Sequence, residues 1–195
     1  MFRFFLAAVD VLPAAVVLAP VFALFYFTVY GRNFRRSVLC CLFCLYLAAV
    51  FSLVGIPNIT YIRPEINLNL LPVLGMLADF KNSVLNVILF VPLGIFLPLL
   101  WQQFRKCGRT VLFGFGLSLT VELLQMLTFR ATDVNDLITN TVGTVLGFFL
   151  VNSLGNKSCA AGNGKGEPFV LCILSFGVMF FLHPLLSPFI YDRLL

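Results

Sequence analysis

The sequence predicts an all-α fold, a polytopic transmembrane helix bundle, and three observations predict it. Hydrophobic residues make up 61% of the chain and charged residues 11%, against about 25% charge in a soluble domain. The mean hydropathy is +1.03. Several uncharged apolar runs approach or exceed the roughly 18 residues that mark a membrane span. The apolar surface of such a chain faces lipid, so its helices must associate through close packing, small residues and interhelical hydrogen bonds. The net charge of +5 reads as orientation signal and headgroup contact. No soluble basic run with interleaved aromatics is present, and nucleic acid is therefore excluded as a partner.

About six spans are expected, within one membrane domain covering residues 1–195. The first apolar run is Phe4 to Tyr30, interrupted by Asp10, Pro13 and Pro20. Its length and the lack of a small-residue cleavage site predict a retained helix, with a proline as the place for a kink. A link with Arg32, Arg35 and Arg36 leads to a second span, Val38 to Ile56. Pro57 to Ser83 is less apolar. Its Glu65 to Leu70 alternates polar and apolar residues before Pro72. That pattern predicts a short extended piece, then a re-entrant or interfacial helix, LPVLGMLADF. Irregular backbone at this depth needs protein or a water-filled cavity around it.

The third span is Val84 to Trp101, containing Asn86, Pro92, Gly94 and Pro98. Trp101 and Arg105 read as an interfacial anchor at its inner end. After a link with Arg105, Lys106 and Arg109, the fourth span runs from Val111 to near Thr128 and the fifth from near Asp136 to Val151. Residues 155–168 are glycine-rich and read as a flexible cytoplasmic loop. Residues 169–195 add a sixth span, Phe169 to Leu186, and a tail. One set of links carries eight Lys and Arg, the other ends and links five. The positive-inside rule puts the first set in the cytoplasm, with both termini outside. Cys40, Cys41, Cys44, Cys107, Cys159 and Cys172 fall near that inner side, where thiols stay reduced.

Chemistry concentrates between Glu122 and Gly147, which hold three of the eight acidic residues. From Asp133, the residues Asp136, Asn140, Gly143 and Gly147 recur at helical spacing and share one helix face. Glu122, Gln125 and Arg130 precede them across a turn. A charge at the bilayer centre costs about 2.5–3.5 kcal/mol on insertion scales. Glu122 is therefore expected to face the bundle and find a partner, with Arg130 the nearest cation in sequence. Two readings stand. In the first, Asp133 is the N-cap of the fifth helix, with Asp136 at the third helical position, where free N–H groups favour carboxyls. Asn140 then bonds between helices, and Gly143 with Gly147 allows close packing. In the second, these residues converge on one functional site.

Other signals are weaker. Cys40, Cys41 and Cys44 lack a histidine or a fourth close thiol and read as apolar filler rather than a metal site. His183, the one histidine, reads as interfacial. No Ser-His-Asp arrangement and no phosphate-cradling loop is visible.

Taken in order, NLLPVL (Asn69 to Leu74), NVILFVPLG (Asn86 to Gly94), ELLQ (Glu122 to Gln125) and RATDVNDLITNTVGTVLG (Arg130 to Gly147) resemble the VanZ-like family of bacterial membrane proteins. The resemblance covers residues 60–152, with looser similarity in the first two spans. Family members often carry Phe after the proline of the first fragment, where this chain has Val73. The resemblance implies a bacterial cell-envelope protein. The founding member is associated with resistance to teicoplanin, a lipid-bearing glycopeptide antibiotic. It implies no established reaction.

Three function classes follow. The first is a protein that binds or handles a lipid-linked cell-wall precursor or a lipoglycopeptide among membrane lipids. Its ligand contacts would be Glu122, Gln125, Arg130, Asp133, Asp136 and Asn140 in a polar cleft on the outer face, with Asn69 and Asn86 adding donors. Arg130 would meet phosphate or carboxylate. The second is an intramembrane enzyme with Glu122 or Asp136 as general base. A divalent cation could then sit among Asp133, Asp136 and Glu122, although no cofactor is required by the pattern. The third is a transporter or flippase, for which no internal repeat is visible.

Overall fold

The computed structural model describes residues 2–28, 33–60, 62, 68–69, 80–128, 132–153, 155, 164, 166–186 and 188. Six helices dominate the described residues. They are α1 (Phe2–Thr28), α2 (Phe34–Val54), α3 (Phe80–Leu100), α4 (Cys107–Gln125), α5 (Val134–Ser153) and α6 (Glu167–Gly177). The helical path of α6 continues through Val178–Leu182 to Leu186. Two-residue strands β1 (Leu68–Asn69) and β2 (Thr132–Asp133) pair in parallel. Among the described residues, five helical stretches are long and apolar enough to cross a membrane: Phe34–Val54, Phe80–Leu100, Cys107–Gln125, Val134–Ser153 and Glu167–Leu186. At a rise of about 1.5 Å per residue, 20 residues match the roughly 30 Å hydrocarbon layer. α1, with 27 residues, is longer than any of them. The chain is a multi-pass helical membrane protein.

The helices form two compact units, Met1–Arg63 with Gly166–Leu195, and Pro64–Lys165. In the first unit, Pro13 and Pro20 lie inside α1. Asn33 caps α2 by accepting the Arg36 N–H at 3.3 Å. Gly55 ends α2 at φ 69°, a left-handed conformation that glycine adopts without strain, and its N–H reaches the carbonyls of Phe51 and Ser52. The buried face of α2 holds Ser37, Cys40, Cys44, Leu47 and Phe51. Ser37 Oγ donates to the Phe22 carbonyl of α1 at 3.3 Å.

α6 packs on α2 through polar and aromatic contacts. Ser175 Oγ donates to the Cys44 carbonyl at 3.5 Å. Phe176 meets Phe51 edge to face at 6.2 Å. The Arg36 guanidinium pairs with Glu167 at the first turns of both helices. Paired first turns make α2 and α6 run parallel. A wide turn at Val178–Leu182 sends the His183 N–H back five residues to Val178 O. Beside it, the Phe180 carbonyl receives the Ile59 N–H at 3.1 Å.

The second unit carries the polar stretch, and α5 is its centre. α3 runs parallel to α5 at backbone contact. A Cβ on Gly143 would land on the Val87 carbonyl oxygen, one on Gly147 on that of Val91, and one on Gly94 on that of Thr144. α4 lies antiparallel on another side of α5, where a Cβ on Gly114 would stand 2.5 Å from Thr144 Oγ1. Glycine at these four places is what lets three helices carry polar groups in direct register.

Two expectations are corrected. Trp101 is fully buried, packed edge to face on Phe104 at 6.2 Å, and is no interfacial anchor. The reason is the tight turn after α3. A 3-10 turn, Gln102–Arg105, folds Phe104 inward, and Thr110 Oγ1 donates to the Phe104 carbonyl at 2.6 Å. The α3–α4 link is also shorter than the polar run suggested, because Cys107, Gly108, Arg109 and Thr110 already belong to α4. Most of the expected re-entrant segment, residues 70–79, lies outside the described residues.

Candidate functional site

The hydroxyls of α5 are largely satisfied by its own backbone. Thr139 Oγ1 donates to Asn135 O at 3.0 Å, Thr141 Oγ1 to Leu137 O at 2.7 Å and Thr144 Oγ1 to Asn140 O at 3.1 Å. Inside hydrocarbon a hydroxyl needs such a partner. The amides and carboxyls instead reach between segments.

Asp133 stands just before α5. Its Oδ1 accepts the Asn135 N–H at 2.9 Å and Asn135 Nδ2 at 2.7 Å. This is the capping geometry expected of that residue. Its own backbone N–H donates to Glu122 Oε2 of α4 at 3.1 Å. Glu122 is 3% exposed, so it does face the bundle. Asp136, in the first turn of α5, accepts from Asn86 Nδ2 of α3 at 2.6 Å. A bond this short to a carboxyl is among the stronger hydrogen bonds in proteins. Two turns into α5, Asn140 Nδ2 donates to Ser118 Oγ of α4 at 2.9 Å. Asn140 is 3% exposed and its Oδ1 has no hydrogen-bond partner among the described residues.

Gln125 is buried, and its carbonyl receives the Thr128 N–H at 2.9 Å and Thr128 Oγ1 at 3.0 Å, which closes α4. Asn69 takes its place through the backbone, where β1 pairs Leu68 with Thr132 and Asn69 with Asp133. The side chain of Asn69 and all of Arg130 lie outside the described residues. So Asn86 with Asp136, Glu122 with Asp133, and Asn140 with Ser118 form separate contacts around the first two turns of α5, and the capping role of Asp133 is visible among them.

The sequence reading missed Ser118. The signal was available, since Ser118, Glu122 and Gln125 follow at steps of four and three and make one buried stripe of α4. It also missed Asn135, buried and bonded to Asp133. Among the described residues, no three His, Cys, Asp or Glu side chains form a group that could hold a metal ion, so Asp133, Asp136 and Glu122 do not make one. Glu122 Oε2, Asp133 Oδ1 and Asp136 Oδ1 each accept from a different donor. Cys40 and Cys44 are wholly buried in the first unit, where Cys44 Sγ approaches the Leu171 carbonyl at 3.9 Å.

Fold and site together define a polytopic helical membrane protein with interhelical hydrogen bonds gathered at one end of a three-helix unit. The chain belongs to the VanZ/LLP1 family, whose model matches residues 18–155. That range starts in α1, takes in α2 to α5 and stops before α6. The chain is similar to "Protein VanZ" of Enterococcus faecium, at 40% identity over 94 residues. Those residues are 47% of this chain and 55% of that protein, so the chain spans about half the length of this relative. No solved structure matches the chain.

Proposed function

We propose that this VanZ-family protein binds or handles a lipid-linked or lipidated amphiphile, holding its polar headgroup at the loop end of α3, α4 and α5. The contact between Asp136 and Asn86 carries the reading. It joins the second turn of α3 to the first turn of α5, and both residues are only partly buried. Its surroundings offer mainly acceptors and amides, from Asn86, Asp133, Asp136 and Asn140, which suit a headgroup rich in hydroxyl or amide N–H donors. Arg130, between α4 and α5 in the sequence, would add phosphate or carboxylate recognition. The ligand's acyl part would lie in the bilayer beside the bundle. The positive-inside count, eight Lys and Arg against five, supports an outer-leaflet position for this end. That position suits an amphiphile that arrives from, or is displayed at, the outside, such as a lipid-linked cell-wall precursor or teicoplanin.

The test is binding of labelled teicoplanin, and separately of a lipid-linked precursor, to purified protein in lipid nanodiscs. Asp136→Asn and Asn86→Leu should each weaken binding about tenfold, the loss expected for one charge-assisted contact. Binding of neither probe by the unaltered protein, or equal binding by both variants, would remove this reading.

A further inference from the structure

A nearly buried carboxyl in a membrane helix invites a role as ligand contact, proton carrier or base. The geometry around Glu122 points to a different use. Its Oε2 takes a backbone N–H, that of Asp133. Asp133 is the residue that caps α5, and its backbone is also the β2 residue opposite Asn69 of β1. One side chain of α4 therefore holds the backbone at Asp133. From that point follow where α5 starts and where the loop strand β1 lies. Three residues on is Asp136, whose carboxyl must arrive within reach of Asn86.

We infer that Glu122 is a positioning residue, a staple from α4 to the Asp133 backbone that sets the start of α5 and so places Asp136 beside Asn86. The importance of that placement rests on the proposed binding function, while the staple itself rests on geometry alone. A staple needs an oxygen acceptor of the right reach. Glutamine supplies one, and alanine does not. A proton carrier, general base or charged ligand contact needs the ionisable carboxyl, which glutamine lacks.

The experiment compares the unaltered full chain with E122Q, E122A and D136N, each purified into lipid nanodiscs. Backbone hydrogen exchange over residues 132–137 and binding of labelled teicoplanin are read on the same samples. E122A should exchange about tenfold faster in that segment, as expected for loss of one hydrogen bond to a carboxyl. E122Q should stay within about threefold of the unaltered chain in both exchange and binding. Unchanged exchange in E122A overturns the staple. Binding lost in E122Q with exchange preserved also overturns it, because the carboxyl would then act by its charge. If alanine prevents folding, E122Q decides by the same two readouts. If teicoplanin binds to none of the four proteins, the binding proposal loses support for that ligand, and the exchange comparison still decides the staple.

Discussion

Asn86 and Asp136 meet at 2.6 Å across two helices, while Asn140 and Ser118 meet at 2.9 Å across another pair. Interhelical hydrogen bonds in membrane proteins average about 0.6 kcal/mol in double-mutant cycles and reach about 1.7. A cycle of Asn86→Leu with Asp136→Asn should therefore give a coupling of about 1 kcal/mol in chemical or thermal unfolding in detergent. A coupling near zero would mean the contact is incidental. The second pair has a different expectation, because Asn140 Oδ1 already lacks a partner among the described residues. Ser118→Ala leaves the buried amide with still fewer bonds and should destabilise by about 1–2 kcal/mol. Adding Asn140→Leu removes the stranded polar group, so the double variant should be more stable than Ser118→Ala alone. These residue pairings were only partly legible. Glu122 was recognisable as inward-facing from the cost of a carboxyl in lipid. Its partner was not, because a backbone N–H carries no sequence signature. Arg130, the nearest cation in sequence, lies outside the described residues.

At the scale of elements, glycine decides which helices can share backbone contact. Gly147→Ala would place a methyl on the Val91 carbonyl, where neither backbone can yield locally, so α3 and α5 must separate. The expected loss is about 1–3 kcal/mol, as for overpacking in a tight core. Gly108→Ala, which meets nothing within 4 Å, should leave the melting temperature unchanged. Equal effects of the two substitutions would contradict the close approach. In the first unit, Arg36 and Glu167 side chains are 14% and 17% exposed and join the first turns of α2 and α6. Arg36→Glu should lower stability, and adding Glu167→Arg should restore part of it, since the swap recreates an opposite pair. The G-x-x-x-G spacing announced close packing in advance. That its partner is α3, through Gly94, could not be read, because helix choice depends on both surfaces at once. Trp101 shows the same limit. Its place at a span's end suggested a headgroup anchor, and a short 3-10 turn buried it instead.

At the scale of the whole molecule, the charge count gives an expected orientation with a direct test. Asn82 and Gln102 are exposed at opposite ends of α3. In a chain whose six cysteines are replaced by alanine, Asn82→Cys should react with a membrane-impermeant maleimide on intact cells. Gln102→Cys should react only after permeabilisation. The reverse pattern would put the polar end in the cytoplasm and move the proposed ligand to the inner leaflet. The tight α3–α4 turn, with exposed Arg105 and Lys106 and with Arg109 exposed in the first turn of α4, is the end expected to stay inside.

The sequence alone determined that this protein is a bundle of membrane-spanning helices and that a stripe of carboxyl and amide residues lies between Glu122 and Gly147. Both are local matters: apolar run length follows from the bilayer's thickness, and a polar residue among apolar ones is costly wherever it sits. Only tertiary structure decided which polar group meets which. Asn86 with Asp136, Ser118 with Asn140, and Glu122 with the Asp133 backbone are contacts between segments, made possible by glycines that let three helix axes approach. Their selection depends on how whole helix surfaces fit together, and no spacing within one helix encodes that.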